Sequence, residues 1–284
     1  MLLAVCAASL APARDQTFAV PGSVLLFGNY NELRVVTPAR SQVVQPPVER
    51  GYNKSYVAYP SIAFRGDLIA WAFAIGSDDT RPQNKARFAL GLYSLLHQTW
   101  KTYGDFDEIG DAGISSDGSK VAFVARQQGR LALLLFDVPT ETIAEGPYQP
   151  GMWPRGTPSW SPDRTRLAVQ IHRPDQSSFS AMLDLTTGQA RPLGDGFNPQ
   201  WSRNGEWIAY SGRKCMMVHP DGTGSTIAHT LSDGWFTHRE FDWGSPVWSA
   251  DSKQLLLNAT RTMARPSTSS FSTLPPARRR LSRT

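Results

Sequence analysis

The chain reads as all-β, a β-propeller of four-stranded blades, with either five blades present or an incomplete six-bladed ring. Two repeated patterns and a turn-rich composition point there. PQWSRNGEWIAY (199–210) aligns without gaps to PSWSPDRTRLAV (158–169) and to PVWSADSKQLLL (246–257). DAGISSDGSKVAF (111–123) is a looser copy, and PSIAFRGDLIAW (60–71) keeps the proline, the turn glycine and the closing strand. The anchor residues Ile62, Ile114, Trp160, Trp201 and Trp248 stand 52, 46, 41 and 47 residues apart. A period of roughly 40–50 residues is that of propeller blades. The 9 Trp, 21 Pro and 23 Gly suit short strands and tight turns better than long helices.

In chain order, SVLLFGNYNELRVVTP (23–38) is the first candidate element, an apolar strand, a turn and a second strand. It reads as an outer hairpin that precedes any tryptophan copy. The 60–71 copy follows, then FALGLYSLLHQTWKTY (88–103) as a loose outer hairpin. The 111–123 copy is paired with LALLLFDVPTETIAE (131–145), and the 158–169 copy with FSAMLDLTTGQARPL (179–193). KCMMVHPDGTGSTIA (214–228) follows the 199–210 copy, and the 246–257 copy is the last. Two hairpins per period make a four-stranded blade. In the inner hairpins, Asp117-Gly118 and Asn204-Gly205 are pairs that tolerate positive φ in a tight turn. Arg164 and Ser252 occupy the glycine position in two copies, which predicts strained or differently built turns. The indole ahead of each turn has the size to fill the wedge between neighbouring blades. The 246–257 hairpin either pairs with the 23–38 hairpin to close five blades or opens a sixth.

Both ends differ from this body. LLAVCAASLAPA (2–13) has the apolar run and small residues of an export signal, without basic residues ahead of it. The division is a signal-like or disordered start at 1–19, the propeller at 20–258 and a basic low-complexity tail at 259–284. The net charge of +5 belongs to that tail, whose last 24 residues hold six arginines and no acid. The remainder is close to neutral, which argues against a nucleic-acid partner. Read with codons shifted by two bases and serines as TCN, residues 268–271 become four apolar residues flanked by Asp/Asn/His/Tyr codons. That is the pattern of LLLFD and AMLD, so the tail is either native or a frame-slipped sixth outer hairpin. The nucleotide sequence decides. Cys6 and Cys215 make neither a disulfide framework nor a metal pair. No apolar run reaches the roughly 18–20 residues of a membrane span.

The P-x-W-S-x-D-G-x-x-I-A-F signature, followed by a strand ending in D-x-x-T-G, resembles the TolB-type, WD-like propeller repeat over residues 20–258. The resemblance implies an extracytoplasmic, periplasmic scaffold of about six blades; a cytoplasmic location is the alternative. Propeller-bearing serine hydrolases carry similar repeats ahead of a catalytic domain.

No catalytic constellation stands out. The chain has no G-x-S-x-G elbow, H-E-x-x-H or Walker loop. GTGST (222–226) falls at a hairpin turn with no helix after it, and SSDGS (115–119) is a structural turn. His229 and His238, with Glu240 and Asp242, are weighed as a metal site, but solvated loop residues are the default. Cys215 reads as a small buried side chain. No enzyme activity, cofactor or metal is expected.

Loops joining blades, and loops joining the two hairpins within a blade, leave a propeller on one face. The between-blade segments GPYQPGMWPRG (146–156) and DGWFTHREFDWG (233–244) are aromatic. They offer Tyr148, Trp153, Trp235, Phe236, His238, Arg239, Phe241 and Trp243, residue types enriched at binding hot spots. Arg81, Arg87, Arg126, Arg130, Arg173 and Arg213 form a predicted basic rim. The alternative is that the aromatics only pack the loops down. The predicted function is non-catalytic binding, foremost of a protein. The alternatives are a sensor, a carbohydrate or small-ligand propeller, and the remnant of a hydrolase.

Overall fold

The computed structural model describes residues 7–9, 23–28, 33–36, 41–47, 61–63, 67–77, 86–147, 153–172, 178–212, 214–230, 246–248, 251–253 and 255–256. These residues form 23 β-strands and no helix, so no described helix is long and apolar enough to cross a membrane. Every strand pair is antiparallel between sequence neighbours or near neighbours, and the strands gather into six sheets.

Sheet one is β1 (Ala7–Ser9), β2 (Ser23–Gly28), β3 (Leu33–Val36) and β4 (Ser41–Val44). Residues 7–9, inside the leader-like run, pair with Ser23–Leu25. The 23–38 segment supplies the middle pair of the sheet, because Ser41–Val44 adds a fourth strand with its last residue buried. Sheet two is β5 (Ser61–Ile62), β6 (Leu68–Ser77), β7 (Ala86–Ser94) and β8 (Thr99–Phe106). Sheet three runs β10 (Gly113–Ile114), β11 (Lys120–Gln127), β12 (Arg130–Asp137), β13 (Thr142–Glu145), with β9 (Glu108–Ile109) also on β11. Sheet four is β14 (Trp153–Trp160), β15 (Arg166–His172), β16 (Ser178–Asp184) and β17 (Ala190–Asp195). Sheet five is β18 (Phe197–Trp201), β19 (Ile208–Ser211), β20 (Lys214–Val218) and β21 (Thr226–Thr230). Sheet six has two described strands, β22 (Val247–Trp248) and β23 (Leu255–Leu256). Among the described residues the 246–257 hairpin forms its own sheet and pairs with no strand of sheet one.

The core is distributed between neighbours. Val35 and Val44 of sheet one pack with Ile69, Trp71 and Phe73 of sheet two. Leu90 and Phe106 of sheet two meet Ile109, Ile114 and Phe123 of sheet three. Leu133 meets Trp160, Leu167 and Phe179, and Met182 and Leu193 meet Trp201 and Tyr210. Trp160 and Trp201 are buried in these wedges, and Trp248 is buried as well. The Trp160 Nε1–H donates to Gly113 O of the preceding sheet at 2.9 Å, and Trp248 Nε1–H to Gln200 O at 3.0 Å. Pro158 and Pro199 sit in first strands, whose outer edge has no neighbour that needs the missing N–H.

Candidate binding face

The turns within the inner and outer hairpins leave the sheets on one face, here the turn face. The links between hairpins and between sheets leave on the other, the loop face. The two are built from different chemistry.

On the turn face the inner turns of sheets three, four and five are closed by the same pattern of side chains. Ser115 Oγ donates to Asp117 Oδ1 at 2.7 Å and accepts from Lys120 N at 2.9 Å. Ser161 with Asp163 and Arg166 N, and Ser202 with Asn204 and Trp207 N, repeat the arrangement. Serine thereby satisfies the strand end while the acid fixes the turn. Gly118 and Gly205 have φ of 74° and 77°, and Arg164 and Ser252 have 61° and 59°. The two non-glycine residues adopt the same left-handed conformation, as their position in the repeat demands. Each earns an inter-sheet bond: Arg164 Nη1 donates to Asp117 Oδ2 at 2.6 Å, and Ser252 Oγ accepts from Asn204 N at 3.0 Å. The outer turns use Asp137 with Thr140, Asp184 with Thr187, and Asp221 with Thr223.

The titration behaviour follows. Partial burial pushes the Asp117 carboxyl up, but hydrogen bonds from Ser115 and Ser119 and the charge of Arg164 outweigh it, holding the group at about 2. Asp163 is likewise held at about 2, burial being overcome by Ser161, Thr165 and Arg166. Hydrogen bonds from Thr140, Thr187 and Thr223 lower Asp137, Asp184 and Asp221. Burial raises the Cys215 thiol to about 11, so it is an inert core group.

Four residues of the predicted site, Arg87, Arg126, Arg130 and Trp153, are described, and they stand at the loop-face ends of their strands. Arg87 pairs with Asp105 at 3.3 Å, Arg126 with Glu108 at 3.2 Å, and Arg130 donates from Nη1 and Nη2 to the two carboxylate oxygens of Glu145. These three rim arginines therefore come with acids, so the described part of the rim is a set of ion pairs. Trp153 is the first residue of β14, its backbone opposite His172, where the sequence suggests a loop. Pro154 and Gly156 mask the strand signal, and the strand survives by a register shift between Arg155 and Ser159. Beside it, His172 Nε2 lies 2.8 Å from Gln170 Nε2 and 3.2 Å from Ser178 Oγ. Thr157 Oγ1 donates to Asp111 at 3.3 Å, and Asn198 has a φ of 53° on the next first strand. These polar groups at the loop-face ends of sheets three to five escape sequence reading, since none belongs to a motif. Tyr148, Trp235, Phe236, His238, Arg239, Phe241, Trp243, Arg81, Arg173 and Arg213 lie outside the described residues.

His229 lies in β21 with its backbone opposite Cys215, rather than in the loop with His238. His219 stacks on Trp207 with ring centroids 3.9 Å apart. Among the described residues no three His, Cys, Asp or Glu side chains converge as a metal site requires.

No family model matches the chain, and no curated protein matches it. Solved structures do. TolB from Acinetobacter baumannii is 16% identical with a TM-score of 0.57, over 89% of this chain and 57% of that one. The chain thus spans less than two thirds of that protein's length. An oligogalacturonate lyase in complex with manganese is 15% identical, TM-score 0.57, over 83% of this chain and 70% of that one. A chain of a nidogen/laminin complex is 11% identical, TM-score 0.60, over 84% and 86%. At such identities the likeness is one of fold. With its repeated inner hairpins and its wedge tryptophans, the chain has the fold of the TolB-like β-propellers.

Proposed function

We propose that the chain is a non-catalytic binding scaffold of the cell envelope, and that its partner is a protein held on the loop face. The carrying observation is the division of labour between the faces. The described carboxylates whose pKa is shifted are all lowered, and each is committed to a turn or an ion pair. A general acid needs the opposite shift. The aromatic segments leave the strands on the other face, where rigid aromatics and arginine suit a protein partner. The likeness of fold to TolB supports an extracytoplasmic location. Affinity recovery from envelope extract tests the reading with wild-type protein and Trp235→Ala. Recovery of a discrete partner should fall at least tenfold in the variant; equal recovery removes the face from consideration.

A second reading, a carbohydrate or small-ligand site, is favoured by the Gln170–His172–Ser178 cluster beside the first strands. Glycan binding that is lost in His172→Ala and kept in Trp235→Ala is the result that selects it.

A further inference from the structure

Ten residues past each anchor, the second strand of a sheet sets a side chain towards the following sheet, opposite one on the third strand. In sheets two and three these pairs are apolar, Ala72 with Leu90 and Val124 with Leu133. In sheet four the pair is Gln170 with Ser180. His172 and Ser178 follow towards the loop face, and Ser178 holds the position of Leu131 in sheet three. Across the joint in sheet five, Gly212 stands where sheet four has the buried Ile171. The loop-face half of this joint has exchanged aliphatic bulk for hydroxyl, amide and imidazole groups. Ser180 is its floor: the residue is fully buried, and its Oγ has no hydrogen-bond partner among the described residues. A buried hydroxyl in that condition calls for a partner. Gln170, His172 and Ser178 are half-buried, so the polar groups grade outward from Ser180 to solvent. On the outer side the Tyr210 hydroxyl lies against Gly194, the residue opposite Ser180, where a Cβ would collide with it. On the inner side, the amide oxygens of Asn198 and Gln170 lie 3.2 and 3.3 Å from a Cβ built on Gly156.

We infer that the joint between sheets four and five binds a neutral hydroxylated ligand of monosaccharide size, which places one hydroxyl on Ser180 Oγ. The inference rests on the small-ligand reading above and gives it a place, between the sheets, and a ligand chemistry. The polar groups that face the joint are uncharged. An amide nitrogen only donates, so His172 Nε2, 2.8 Å from Gln170 Nε2, accepts and the imidazole is neutral. Hydroxyl and amide groups both donate and accept, which matches the neighbouring hydroxyls of a sugar. An anion is disfavoured. Burial raises the Tyr210 hydroxyl against a hydrogen bond with Ser225, and the charge of Asp195 raises it further. A metal ion is disfavoured too, since no three ligating side chains converge among the described residues.

The probes are the methyl α-glycosides of glucose, galactose and mannose, titrated against the full chain by ligand-observed NMR. Saturable binding of at least one is expected, at least tenfold tighter than that of glucuronate at pH 7. Ser180→Leu, which restores the residue type of sheets two and three, should weaken it at least tenfold and leave the urea midpoint unchanged or higher. Because added bulk risks disturbing the joint, Ser180→Ala removes the hydroxyl alone and should weaken binding at least threefold. Binding of none of the three glycosides overturns the inference and leaves Ser180 to an internal water. So does glucuronate binding as tightly as the neutral glycosides. Equal binding to wild type and to both Ser180 variants also overturns it. If His172→Ala abolishes that binding, the small-ligand reading stands and only its place between the sheets fails. Trp235→Ala should leave glycoside binding unchanged, so failure here is separable from failure of the loop-face reading.

Discussion

At the scale of single residues, the inner turns of sheets three and four place one serine and one acid where the backbone needs them, and the proton affinity of the acid falls. Asp117 and Asp163 fall from an ordinary 3.8 to about 2 in the fold. A folded-state pKa below the unfolded one gives stability that is fully present above the unfolded value and is lost as pH falls through the folded one. The window is therefore about pH 4 down to pH 2. Both side chains are substantially exposed, so solvent screens the gain and the slope will be modest. The double variant Asp117→Asn, Asp163→Asn should show a flatter urea midpoint across that window than wild type, and a lower midpoint at pH 7. Parallel acid profiles would mean that these carboxylates do not carry acid sensitivity.

At the scale of elements, sheets three to six are joined through the tryptophans Trp160, Trp201 and Trp248 that precede their inner turns. The joints are not equal. Trp160 donates its indole N–H to Gly113 O, whereas the buried Trp201 Nε1 finds no hydrogen-bond partner among the described residues. Replacement by phenylalanine removes a satisfied bond in one case and an unsatisfied donor in the other. Trp160→Phe should cost more than Trp201→Phe by about 1–2 kcal/mol in chemical denaturation, on the scale of a buried hydrogen bond. Equal losses would place the whole cost in packing. The inner hairpins are the elements most legible in the sequence, because an indole, a serine and a turn pair recur in fixed register. Sheet one is less so: no indole marks it, and the 23–38 segment alone does not show that Ser41–Val44 follows as a fourth strand. Trp153 reads as loop because Pro154 and Gly156 flank it, and only pairing with β15 makes it a strand. The polar cluster around His172 is invisible for a different reason, since its members meet through sheet register rather than through a motif.

At the scale of the whole molecule, each core cluster joins two adjacent sheets and no other pair. Stability then approaches a sum of sheets and nearest-neighbour joints, as in repeat proteins. The joint between sheets three and four is tight: a Cβ built on Gly113 would fall 1.8 Å from Pro158 O, a backbone atom that cannot swing aside. Gly113→Val should lower stability by about 3 kcal/mol or more, at the upper end of overpacking costs. It should also split urea unfolding into two transitions, as the halves on either side lose their coupling. A single transition with an unchanged midpoint would show that the joint has slack. The separation of the two faces has a further consequence, for the history of the fold rather than its energy. Since the serine, aspartate and arginine stitches sit on the turn face, the segments crossing the loop face are free to drift in sequence without touching the code that folds the sheets. On the proposed loop-face reading, recognition is rewritten there while the scaffold is inherited unchanged.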